Sequence, residues 1–139
     1  MNTFLVIIIL IALSVESSNA SKMFPKNQVH IKNSLGRNDD LLKIHCISDE
    51  DDLGIHFVRR PYLYTFKFGD KFFGGTKFDC TLSHGVGFKS SVTFTAYKQN
   101  PDDFIIKFGK TTFWDAKDDG IYLTNADHNA KFMYRWVKS

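Results

Sequence analysis

Beyond its first twenty residues, the chain sets apolar side chains on every second position. Val29 and Ile31 share one face of 29–31, and Leu42, Ile44 and Cys46 share one face of 42–46. In 62–68, Tyr62, Tyr64, Phe66 and Phe68 oppose Leu63, Thr65 and Lys67. Phe78, Cys80 and Leu82 oppose Lys77, Asp79 and Thr81, and Val92, Phe94 and Ala96 line up in 92–97. The segments 104–108, 121–123 and 131–136 complete the set. Such alternation, rich in β-branched and aromatic residues, marks strands buried on one face. Gly69-Asp70, Gly74-Gly75, Asn100–Asp103, Asp118–Gly120 and Asn125–Asn129 supply turns between them. The expectation is an all-β fold: a small single-domain antiparallel β-sandwich of about 7–8 strands, with an Ig-like two-sheet architecture. No ten-residue helical pattern is found after residue 20.

The first twenty residues break the pattern. Phe4–Leu13 is an unbroken apolar run, and Ser18-Asn19-Ala20 supplies small residues at the positions a signal peptidase reads. The run is shorter than the roughly 20 apolar residues that span a bilayer. Residues 1–20 are therefore expected to be a signal peptide and 21–139 one secreted, extracellular domain without a membrane span. The preceding residues carry no Lys or Arg, so an uncleaved anchor is the alternative. In an oxidising compartment, two cysteines suggest one disulfide. Cys46 and Cys80 are both in phase with the apolar face of their strands, which favours pairing inside the core over two free buried thiols.

Charge and candidate chemistry narrow the function. The formal net charge is +3. The basic residues are scattered rather than striped, so nucleic acid is not an expected partner. The acidic stretch 49–52 resembles a calcium loop, but an EF-hand frame from Asp49 puts Leu53 and Arg60 where carboxylates are required. His45 and Cys46 are neighbours on a strand and point to opposite faces, so they do not share a zinc ion. His30, His84 and His128 stand alone in different segments. No nucleophile motif appears, and Asp102-Asp103 and Asp118-Asp119 read as turn residues. No catalytic residue, metal or cofactor is assigned. Tyr97 and Tyr122 fall out of phase with the core and are the candidates for an exposed, glycan-binding platform.

The ordered motifs resemble those of the plant self-incompatibility S-protein family. Val29, Ile31, Asn33 and Leu35 match V-x-I-x-N-x-L; Leu42, His45, Cys46, Ser48, Asp52, Leu53 and Gly54 match L-x-x-H-C-x-S-x-x-x-D-L-G; Thr76, Phe78 and Cys80 match T-x-F-x-C; Trp114, Asp119, Gly120 and Ile121 match W-x4-D-G-[IL]. Many members carry two further cysteines around the last motif. This chain has none there, and Phe108 or Phe113 is expected to fill their space. The resemblance implies a small secreted β-sandwich without known catalysis, whose best-known members are stigma ligands for a pollen receptor. The implied partner is a cell-surface receptor of unknown identity, bound by a monomer. Recognition belongs on loops, because the strands are committed to the core. The candidates are Asp49, Glu50, Asp51, Asp70, Lys71, Asp102, Asp103 and Asp118. A cell-wall or glycan-binding module is the alternative.

Overall fold

In the computed structural model, residues 25–71, 74–99, 108–124 and 127–139 are described. The expected signal peptide, its cut after Ala20, and Asp102 and Asp103 lie outside them. Ten strands form among the described residues: β1 (Asn27–Asn33), β2 (Leu42–Ile47), β3 (Asp52–Val58), β4 (Leu63–Phe68), β5 (Lys77–His84), β6 (Ser90–Lys98), β7 (Thr111–Lys117), β8 (Gly120–Thr124), β9 (Ala130–Arg135) and β10 (Val137–Lys138). They make two five-stranded sheets, ordered β4-β1-β7-β8-β9 and β10-β6-β5-β2-β3. No described helix is long and apolar enough to cross a membrane.

Burial follows the alternation. Along β1 every second residue is buried, from Asn27 to Asn33. Leu42, Ile44 and Cys46 point inward from β2, as do Phe78, Cys80 and Leu82 from β5. These faces meet in one core shared by both sheets. Phe66 packs 5.0 Å from Phe78 across it, and Phe94 lies 4.7 Å from Trp114. A polar tie joins the sheets as well: Trp114 Nε1–H on β7 donates to the Ala96 carbonyl on β6 at 3.0 Å. An indole buried without a partner would forfeit that bond at a real cost.

β3, β7 and β10 have no segment among those expected, and the expected segment 104–108 lies, apart from Phe108, outside the described residues. β3 is an edge strand whose Ile55 and Phe57 are exposed while Val58 is buried, so its apolar positions do not mark an inward face. β10 is two residues long. One pairing also departs from an antiparallel sandwich: β1 and β7 run parallel, in register from Gln28 opposite Thr111 to Asn33 opposite Ala116. Parallel neighbours need a long connection, and β2 through β6 lie between these two in sequence.

Tyr97 is a correction. It is buried, 4 % exposed, rather than presented to solvent. Pairing between β5 and β6 shifts at Phe78–Asp79, so Ala96 is an extra residue on β6. The bulge resets the phase, and Ala96 and Tyr97 both become buried. Of Phe108 and Phe113, Phe108 is 51 % exposed and does not fill core space, while Phe113 is half-buried.

Candidate functional site

The stretch around Cys46 is a hairpin whose polar residues fold it. Cys46 and Cys80 are bonded, and they sit directly opposite each other on neighbouring strands of one sheet. Pairing between β2 and β3 then shifts between His45 and Ile47. Ser48 closes the turn: its N–H donates to the Asp51 carbonyl at 2.8 Å, and its Oγ accepts from the Asp51 and Glu50 N–H groups. Asp52 Oδ1 accepts from Gly54 N–H at 2.9 Å and His45 Nε2 at 2.7 Å. These two bonds, the backbone one first, hold the Asp52 carboxyl below its ordinary range. Gly54 adopts φ +79°, a conformation that favours glycine. His45, Ser48, Asp52 and Gly54 thus hold one bulged turn, and Leu53 packs against the core.

Thr76, Phe78, Trp114, Asp119 and Gly120 are structural too. Thr76 Oγ1 accepts from Lys71 N–H at 2.7 Å, while Thr76 and Gln99 exchange bonds through N–H, carbonyl and side-chain amide. Phe78 is buried beside Phe68, 4.7 Å away. Asp118 and Asp119 form the two-residue turn between β7 and β8. Gly120 follows with φ +153°, and a Cβ there would strike the Tyr134 carbonyl and the Phe132 ring.

The candidate recognition residues divide between the two ends of the sandwich. Lys71 Nζ lies 2.6 Å from Asp49 and 3.3 Å from Glu50, tying the β2–β3 turn to the β4–β5 connection. The Asp49 hydrogen bond raises Lys71 above the ordinary amine range, and the same bond lowers Asp49. Asp70 joins this end through Tyr97, whose hydroxyl donates to it at 2.5 Å, and through Asn27 at 3.2 Å. Burial first, and the bond to Asp70 second, push the Tyr97 hydroxyl well above the usual phenol range. A cleft of about 270 Å³ opens here, between Ser48, Asp49, Glu50, Lys67, Lys71 and Lys77. Asp118 sits elsewhere. Its Oδ1 accepts from Gly36 N–H at 2.9 Å, beyond the far end of β1 from Asn27. Seven strand residues separate those ends, about 20 Å.

Sequence reasoning missed the buried amides. Asn33 is fully buried; its Nδ2 donates to the Asp40 and Val58 carbonyls, and its Oδ1 accepts from Leu35 N–H, each at 2.9 Å. Asn27 holds Lys110 N–H similarly. The signal was present: both lie in phase with Val29 and Ile31. The Asp40–His84 pair, 3.0 Å apart across 44 residues of sequence, had no such signal. Tyr122 is half-buried, with its hydroxyl on Asp119 and Lys117 over its ring. It and buried Tyr97 do not form a paired platform. Among the described residues, no cluster of three or more His, Cys, Asp or Glu could hold a metal ion.

Comparison with known proteins agrees with this arrangement. Residues 28–136 match the family described as plant self-incompatibility protein S1. The chain is 56 % identical over 137 residues to S-protein homolog 7 of Arabidopsis thaliana, covering 98 % of this chain and 100 % of that one. It is 43 % identical over 129 residues to S-protein homolog 8 of the same plant, covering 93 % and 94 % respectively. Its fold is similar to a solved structure of the SPH (self-incompatibility protein homologue) proteins, a widespread family of small, highly stable, secreted plant proteins. That likeness has a TM-score of 0.64 at 23 % identity and covers 84 % of this chain and 97 % of that one. The chain belongs to the plant self-incompatibility S-protein homologue family.

Proposed function

We propose that this chain is a secreted, non-enzymatic signalling ligand, read by a plant cell-surface receptor through the end of the sandwich that carries Lys71. The observation that carries this reading is the network joining two loops there. Lys71, Asp49 and Glu50 fix charged groups beside a polar cleft, and Asp70 is anchored to the core through Tyr97. Loops held rigidly on a sandwich present a defined charge pattern at little entropic cost on binding. Secretion agrees with the apolar leader and with the disulfide. Pollen–pistil recognition is the first setting to test, given the family's name.

The glycan-binding alternative loses support, because its two tyrosines do not make an exposed pair. Binding of labelled protein to membranes from pistil and vegetative tissue tests the ligand reading. Saturable binding is expected, about tenfold weaker for Lys71→Glu than for the natural chain, in line with loss of a well-placed charge. No saturable binding at micromolar protein in any tissue overturns it.

A further inference from the structure

We propose that this protein self-associates through β3, with two copies pairing their edge strands antiparallel to make one continuous sheet. This goes beyond the receptor reading: it uses the edge of β3 and shares with that reading only the acids of the β2–β3 turn. Among the described residues β3 pairs only with β2, so its outer edge is unpaired. The strand is also unusually apolar for an edge. Ile55 is 53 % exposed and Phe57 56 %, and Ile47 on β2 is 45 % exposed. Natural edges are commonly blunted by charge or proline, and clustered exposed apolar residues mark interfaces.

Two features add to the patch. Phe88 holds φ +54°, rare for an aromatic residue. In that pose its ring lies 5.7 Å from Phe57, with Lys43 Nζ over it. On the opposite flank, His56 stacks on Tyr64 at 4.3 Å, and Tyr62 and Leu63 are exposed where β4 begins.

Charge selects the occupant. The exposed acids 49–52 lead into β3, and the exposed pair Arg59-Arg60 leaves it. A second copy laid antiparallel brings its basic end to the first copy's acidic end, and the reverse; a parallel copy would set like against like. The bulge at Leu53–Gly54 leaves 55–58 as the regular part of the edge. Opposed residues in an antiparallel pair share a face, so the two-fold axis passes through a residue. An axis through His56 opposes Ile55 of each copy to Phe57 of the other and carries Arg60 toward Asp52. Strand and charge pattern are self-complementary, as a two-fold interface requires.

Sedimentation equilibrium of the secreted protein, from micromolar to millimolar concentration, tests this. The expected result is a reversible monomer–dimer equilibrium that weakens with added salt. Concentration-dependent amide protection should appear at 55–58. Phe57→Asp should weaken dimerisation about a hundredfold, since each dimer loses two central anchors. Arg59→Glu or Asp51→Arg alone should weaken it several-fold, and the double variant should recover it. Neither Asp51 nor Arg59 forms an ion pair among the described residues, so these variants should fold. A monomer mass at every concentration, or a dimer indifferent to all these variants, overturns the proposal.

Discussion

A single buried amide can hold more of this fold than many surface charges. Asn33, itself fully buried, satisfies two carbonyls and one N–H. Asn33→Ala would leave them unpaired and should cost about 2–4 kcal/mol, read as a lower urea midpoint at unchanged slope. Tyr97 makes a pH-dependent contribution. Its folded ionisation is raised above the ordinary value near ~10. Its stabilisation is therefore complete below pH ~10 and lost as pH rises through the raised folded value. Unfolding followed across alkaline pH should steepen there. Tyr97→Phe should flatten that limb while costing about 1–2 kcal/mol at neutral pH, because Asp70 loses one of its donors. An alkaline limb identical in the variant would refute this account.

At the scale of elements, cross-links and turns decide which strands stay paired. Cys46–Cys80 closes a loop across 34 residues of sequence between two neighbouring strands. Chain-entropy arguments value it at about 3–4 kcal/mol. Alkylation should label neither cysteine before reduction, and reduced protein should melt lower. The β7–β8 hairpin depends on Gly120 for a different reason. A side chain there meets the backbone of Tyr134, which cannot swing aside. Gly120→Ala should therefore cost about 3 kcal/mol or more. Gly54→Ala, whose added Cβ meets only the His56 ring at 4.0 Å, should cost only about 1 kcal/mol for its backbone conformation. Comparative thermal unfolding of the two variants checks the ranking.

Over the whole molecule, the two sheets are joined by aromatic packing and by the Trp114–Ala96 hydrogen bond. Trp114→Phe keeps an aromatic ring but strands the Ala96 carbonyl and leaves space in the core. It should cost about 1–3 kcal/mol, measured by denaturant unfolding. The charged groups also sort at this scale. Asp49, Glu50 and Lys71 gather at one end, while Asp118 is tied to Gly36 and Asp39 to Arg37 at the other. A receptor contacting one end would therefore leave the other open to solvent.

The sequence by itself determined the strands whose faces alternate, because period-two burial is a local property written into neighbouring residues. It also determined the pairing phase of Cys46 and Cys80 and the family motifs. Tertiary structure alone decided what depends on distant partners. Sheet assembly left Ile55 and Phe57 of β3 exposed, and a bulge opposite Phe78–Asp79 turned Tyr97 inward. Lys71 reached Asp49 across 22 residues and His84 reached Asp40 across 44, because strand order brought those loops together. Alternation states which way a side chain faces, but only the assembled sheets settle what it meets there.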